Sequence, residues 1–267
     1  MTDALPDTLC HYTTYSGLAG ILQSKELWCT HLHYLNDSQE LFHGAGALGR
    51  VFSMGGLGPI EGISIDEIEL EISRSNIFAG SFCKNDDLLS QWRGYSGGSG
   101  VSISFDPQSL KENAISQGFT LKECLYEFNS QGTSLQGLSV SHMTNRKLDM
   151  RDEGKKEKYI RQLLDFIARC KHPSFSEEQE WRILKNAESK TNDICVSPQP
   201  NGLRPYVKFS LDRKDTGGRN DLCIKSIRIG PHPHQDLQAN AVKKLARQHG
   251  IYLHEDPKIS EIPFRQV

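Results

Sequence analysis

The stretch Leu9-Cys10-His11-Tyr12-Thr13-Thr14-Tyr15-Ser16-Gly17-Leu18-Ala19-Gly20-Ile21-Leu22 decides the fold class. Leu9 to Thr13 is apolar-rich and reads as a strand, Ser16 reads as a cap, and Leu18, Ile21 and Leu22 recur at helical spacing. What lies between strand and helix matters most. A dinucleotide-binding turn needs GxGxxG there and a P-loop needs GxxxxGK[ST], and the sequence has neither. A doubly wound parallel sheet is therefore not expected.

Outward from this stretch, strands and helices do not alternate regularly. Leu27-Trp28-Cys29 reads as a second strand, leading to Tyr34-Leu35-Asn36-Asp37, where Asn36 or Asp37 caps a helix carrying Glu40, Leu41 and Leu48. Gly55 to Pro59 reads as a loop, and Ile65 to Ile72 as a short acidic helix. Ile77 to Cys83, Val101 to Phe105 and Leu121 to Phe128 have strand content, the middle one alternating with period two. Residues 129–141 read as a Ser/Gly/Gln-rich loop. Lys155 to Cys170 shows helical periodicity through Tyr159, Leu163, Phe166 and Ile167. Trp181 to Leu184, Tyr206 to Phe209 and Ile224 to Ile229 read as further strands, and Asp236 to His249 as an amphipathic helix. This order predicts an α+β fold with a mostly antiparallel core sheet, split or bent, and flanking helices.

Composition narrows the function classes. A chain of 267 residues with 37% hydrophobic and 24% charged residues can bury a full core, and one domain over residues 1–267 is expected. No apolar run approaches the roughly 18 residues of a membrane span, and Met1 to Asp7 lacks the marks of a signal peptide, so a soluble, cytoplasmic protein with no membrane partner is expected. Seven cysteines without a CxxC pair suggest reduced, mostly buried thiols. A formal charge of −2 argues against a protein that coats DNA, yet it allows a local basic groove. Lys155 to Lys158 and Lys243 to Arg247 could face nucleic acid, although solvated helix faces have the same pattern.

Three clusters can carry chemistry. His11-Tyr12-Thr13 ends the opening strand, where an imidazole can hydrogen-bond a ribose hydroxyl and the adjacent backbone can hold a flat amide. Phe175-Ser176-Glu177-Glu178-Gln179-Glu180-Trp181-Arg182-Ile183-Leu184 places Glu178 and Glu180 two apart on entering a strand, so both carboxylates are expected on one face. Such a pair suits a site where positive charge develops during glycosidic cleavage and a nucleophile must be oriented. A solvated acidic turn is the plainer alternative. Third, Phe78-Ala79-Gly80-Ser81-Phe82-Cys83 is followed by Gln91-Trp92-Arg93-Gly94-Tyr95, a candidate groove in which Arg93 pairs a pyrophosphate. Trp92 and Tyr95 also have the spacing of core residues.

The first cluster resembles the opening motif of the ADP-ribosyltransferase superfamily, a strand ending in His-Gly-Ser/Thr, here with Tyr12 in place of Gly. Leu18-Ala19-Gly20-Ile21-Leu22 and Leu27-Trp28 resemble the helix and short strand that follow in many members. The His-x-Thr form is also similar to the opening of the DarT nucleic-acid-modifying toxins. The second cluster resembles the Phe-x-x-Glu-x-Glu-(apolar)-Leu segment of arginine-type mono-ADP-ribosyltransferases. The resemblance implies an ADP-ribosyltransferase-like split sheet with NAD as co-substrate. It also implies catalysis by Glu180 with Glu178 as accessory, and cofactor binding by His11, Tyr12, Thr13, Tyr34, Ser81 and Arg93. It further implies a bacterial toxin or phage-defence effector acting on RNA, DNA or protein, with an antitoxin or defence-system partner.

Across its length the chain also resembles a large uncharacterised bacterial family, through His11-Tyr12-Thr13, Asn36-Asp37 with Glu40, Trp92 to Tyr95 with Gly100-Val101, Glu178 to Arg182, Ile229-Gly230-Pro231 and Ile262 to Arg265. Two other readings stay open. One is a nuclease of a defence system using His11, with His31 and His33 as candidate metal ligands on one strand face. The other is a catalytically inactive ligand-sensing or interaction module on the same scaffold.

Overall fold

The computed structural model describes residues 4–35, 65–126, 152–187, 193–200, 202–212 and 222–263. The expected helix after Asn36, the Gly55 to Pro59 loop and the 129–141 loop lie outside these residues, as do Phe128 and the terminal Phe264-Arg265. In chain order the elements are β1 (Leu9–Thr13), α1 (Tyr15–Ser24), β2 (Glu26–His31), a 3-10 turn (Leu32–Tyr34), α2 (Ile65–Arg74) and β3 (Ile77–Phe82). Next come α3 (Leu89–Tyr95), β4 (Val101–Phe105), α4 (Pro107–Ser116), β5 (Thr120–Glu123), α5 (Glu153–Ile167) and a second 3-10 turn (Pro173–Glu178). The chain closes with β6 (Trp181–Asn186), β7 (Ile194–Gln199), β8 (Gly202–Ser210), β9 (Ile224–Ile229), α6 (Gln235–Gln248) and β10 (Lys258–Ile259).

The result is a mixed α+β fold with two mostly antiparallel sheets and flanking helices. One sheet has the order β1-β4-β9-β10, in which only the β9/β10 pairing is parallel. The other, β5-β6-β3-β2-β8-β7, is antiparallel throughout. Among the described residues a β-bridge joins strands β1 and β3 of the two sheets, where Cys10 N–H donates to Cys83 O at 2.8 Å and Cys83 N–H donates to Cys10 O at 2.9 Å. Beyond that bridge β1 and β3 belong to different sheets, so a cleft can open between them.

One apolar core unites both sheets. Leu9, Val101, Ile103 and Ile227 from the smaller sheet meet Leu27, Phe78, Ile183 and Phe209 from the larger, with Leu18 and Leu22 of α1 packed in. A second core lies on the other face of the larger sheet, where Ile68 and Ile72 of α2 and Leu163 and Ile167 of α5 cover Ala79 and Leu184. Among the described residues this cover is partial. The outward face of β2, β8 and β7 carries Trp28, Tyr206 and Arg204 instead of a core stripe.

Several local expectations change. The cap of α1 is Thr14, one residue before the helix: its Oγ1 accepts the Gly17 N–H at 3.0 Å, while Ser16 sits inside the first turn. Thr14→Ala is therefore expected to cost about 1 kcal/mol and Ser16→Ala only a few tenths, a contrast that urea titration of the two variants reads directly. Val101 to Phe105 alternates in sequence, but all five residues are buried because β4 is central and both of its faces are covered. Helices α3 and α4 and strand β7 were not expected. None of the seven cysteines forms a disulfide, and six are buried. Among the described residues no helix is long and apolar enough to cross a membrane.

Candidate active site

His11 sits on β1 one residue past the bridge. Its Nδ1–H donates to the Ser81 carbonyl of β3 at 2.9 Å. A carbonyl only accepts, so the proton must be on Nδ1 and Nε2 is left as an acceptor. Burial pulls the imidazole below its ordinary pKa, against the opposing effect of the Ser81 carbonyl, and the ring is neutral near pH 7. The sequence motif thus yields a defined tautomer held across the seam between two sheets.

Tyr12 points the other way, as strand alternation requires. Its hydroxyl donates to Asn85 O and accepts the Leu88 N–H, each at 2.9 Å, and its ring meets Trp92 edge-on at 4.6 Å. Trp92 is itself fully buried and donates Nε1–H to Asp87 at 2.8 Å. Tyr12 and Trp92 therefore build the wall behind the site, and the core spacing of Trp92 describes it better than the groove.

Glu178 and Glu180 do converge, by a different route from strand alternation. Glu178 ends a 3-10 turn, Gln179 adopts a left-handed conformation (φ 43°), and Glu180 precedes β6. This kink aims both carboxylates at Lys171, whose Nζ lies 2.5 Å from Glu178 Oε2 and 2.6 Å from Glu180 Oε2. Arg182 Nε donates to Glu180 Oε1 at 2.8 Å and Nη2 to Oε2 at 3.1 Å. Only 4% of Glu180 is exposed. Burial pushes its pKa up, but the charges of Arg182 and Lys171 outweigh it and hold the carboxyl at about 2. Glu180 is therefore a permanent anion near pH 7, suited to electrostatic work and unsuited to general-base work. Three of its roughly four acceptor directions are taken by protein donors, leaving one on Oε1.

These groups share one cleft. A cavity of about 520 Å³ is lined by His11, Tyr34, Ser81, Tyr95, Glu180 and Arg204, among others. It adjoins a narrow inner space of about 50 Å³ reached by His11, Tyr12, Ser81, Gln91, Glu178 and Glu180. Of the sequence-derived candidates, the cleft collects His11, Tyr12, Tyr34, Ser81, Glu178 and Glu180. Thr13 and Arg93 line neither space: Thr13 lies over Gly17 at the start of α1, and Arg93 is exposed on α3. Sequence reasoning missed Lys171, Trp28 and Arg204. A larger hollow of about 710 Å³ between α2 and α5, lined by residues such as Glu67, Lys156 and Glu157, contains no residue of any of the three clusters.

The candidate metal pair departs from its expected geometry. His31 ends β2 while His33 lies in the following 3-10 turn, and their rings stack at 5.3 Å. His31 Nε2 bonds Ser75 O at 3.2 Å, His33 Nε2 bonds Ile72 O at 3.1 Å, and His31 Nδ1 accepts the His33 N–H. Three of the four ring nitrogens thus serve the backbone, and among the described residues no group of three or more metal-type ligands assembles.

Residues 91–183 match the model of a protein family described as Protein of unknown function (DUF2971). The match spans α3 to the first half of β6, including Glu178 and Glu180, and stops short of His11 and Ser81. No curated protein and no solved structure matches the chain.

Proposed function

We propose that this chain is an NAD-dependent ADP-ribosyltransferase of the cytoplasm whose reaction takes place in the cleft shared by His11 and Glu180. One observation carries the reading: two residues far apart in sequence, each singled out by a separate motif, line the same cavity. The parting of the two sheets beyond Cys10 and Cys83 is taken as the split of a transferase-like sheet. The lining chemistry fits the dinucleotide. Glu178 and Glu180 offset the charges of Lys171 and Arg182, and Arg204 adds a further cation at the larger space that suits a diphosphate. His11 Nε2 can accept from a ribose hydroxyl, and the rings of Tyr34 and Tyr95 offer flat surfaces.

In this scheme the ribose C1′–N bond to nicotinamide breaks and its electron pair returns to the pyridine nitrogen. Positive charge appears at C1′ and the ring oxygen. Glu180 stabilises that charge and uses its remaining Oε1 direction for a ribose hydroxyl. The acceptor then bonds to C1′ and loses a proton, with Glu178 orienting it. RNA, DNA and protein are acceptor classes for this chemistry, and a toxin or phage-defence role with an antitoxin partner accords with it. NAD labelled in its adenylate half, incubated with the protein and either nucleic acid or bacterial lysate, should transfer label to a macromolecule. Unlabelled macromolecules in both mixtures would end the reading.

A second reading is favoured by the ion pairs themselves. Glu180 is held by Lys171 and Arg182 as tightly as a structural buried anion, which suits a catalytically inactive ligand-sensing module on the same scaffold. NAD binding without nicotinamide release would select it.

A further inference from the structure

We propose that the outward face of β2, β8 and β7, where it continues out of the cleft, binds single-stranded nucleic acid. The proposal stands on the surface chemistry of that face and does not require the transferase reading.

Among the described residues five aromatic side chains are markedly exposed: Trp28, Tyr34, Tyr95, Phe175 and Tyr252. The first four all line the same 520 Å³ cavity. Aromatic rings are costly to leave in water, and their gathering at one place marks a surface made to be covered. Trp28 is the clearest case. It is 51% exposed on a strand whose neighbours Leu27 and Cys29 are buried, and its ring stacks on Tyr206 at 4.2 Å with 21° between the planes.

The register explains the grouping. Trp28 pairs with Lys208, Thr30 with Tyr206, and on the far side Cys195 pairs with Tyr206 and Ser197 with Arg204. With the two-residue period of a strand, Arg204, Tyr206 and Lys208 share the outward face of β8 with Trp28 beside them. Cations therefore flank the stacked rings on both sides. Lys208 is steadied by Glu26 at 3.2 Å, and Arg204 reaches the cleft. Glu26 offsets the charge of Lys208 on this face, and Arg204 is the cation that stands both beside the rings and at the mouth of the cleft.

Flat rings spaced along a sheet between cations meet the two requirements of single-stranded nucleic acid. Unpaired bases stack on aromatic faces, and the phosphates that follow them are neutralised by Arg and Lys. Duplex DNA hides its base faces and would use only the cations. An acidic peptide would likewise use the cations and leave the ring faces uncovered.

Trp28 supplies its own reporter, because Trp92 and Trp181 are 0% and 1% exposed and a ligand on this face quenches Trp28 alone. The test titrates the full chain, without NAD, with an oligothymidylate of about 12 nucleotides, a length within the span of one single-strand site. Tryptophan fluorescence is read alongside the anisotropy of a labelled copy. Saturable quenching is expected, with a duplex of equal length and poly-glutamate both binding more weakly. Trp28→Ala should weaken oligonucleotide binding roughly 10-fold or more, with Trp28→Phe recovering most of the loss. Arg204→Ala should flatten the dependence of log affinity on log salt by about 0.7. Circular dichroism confirms that each variant is folded. The proposal is overturned by the absence of saturable binding, by equal affinity of folded Trp28→Ala and the parent chain, or by duplex or poly-glutamate binding as tightly as the oligonucleotide. Because NAD is left out, a failed NAD-cleavage assay leaves this result standing, and the reverse also holds.

Discussion

Glu180→Gln is expected to lower NAD turnover by roughly 10²-fold or more, measured below the unfolding temperature of the variant. The same change should destabilise the fold by about 3–5 kcal/mol, because it removes the carboxylate that Arg182 and Lys171 share in the interior. The two effects separate through a second variant. Lys171→Met combined with Glu180→Gln removes one charge of each sign, so it should lose less stability than the two single changes summed, while turnover stays as low as in Glu180→Gln. Acid titration adds a sign. Glu180 is held at about 2 in the folded chain, below the ordinary 4.5, so its stabilising contribution is complete above pH 4.5 and is lost as pH falls toward 2. The stability gap between the parent chain and Glu180→Gln should therefore shrink across that window. An unchanging gap would mean that Glu180 is not the group titrating there.

The legibility of this site in the sequence was uneven for physical reasons. Strand β1, helix α1 and strand β2 were readable because their apolar spacing is local, as were β4 and β9, whose bounds match. Helix α4 carried readable signals that went unused: Asp106 caps it by accepting Ser109 N–H at 2.8 Å, and Pro107 occupies its first turn. The convergence of Glu178 and Glu180 was anticipated, but its cause was not, since nothing in Glu-Gln-Glu announces a positive φ at Gln179. Lys171 lies upstream of the motif it neutralises, and only the folded chain brings it to Glu180. Tyr12 looked like a ligand contact because its hydroxyl partners, Asn85 and Leu88, are distant in sequence. Trp28 hid in the run Leu27-Trp28-Cys29, which reads as buried on both faces, and its exposure follows from the absence of a helix over β2 and β8 among the described residues.

His11→Ala is expected to weaken NAD binding roughly 10-fold, corresponding to about 1.4 kcal/mol for one lost ribose contact. The same change also touches stability. The ring bonds Ser81 across the seam of the sheets and lies 6.0 Å from Phe82, so a cost of about 1–2 kcal/mol accompanies the loss of affinity. The pH dependence follows from the lowered pKa. Affinity should stay level as pH falls to the ordinary histidine value of 6.5 and decline only below it, when protonation removes the Nε2 acceptor. Folding stability should decline in the same direction, because the unfolded chain takes up the proton at higher pH than the folded one. Affinity that falls already between pH 8 and 7 would assign binding to another group.

The central claim is that the cleft between His11 and Glu180 cleaves the nicotinamide–ribose bond. Its most direct test follows nicotinamide released from NAD by the purified chain and by Glu180→Gln, with both held at a temperature where each is folded by circular dichroism. The account predicts steady release by the parent chain and release at least roughly 10²-fold slower by the variant. No release by the parent chain, or equal release by the two, would contradict it.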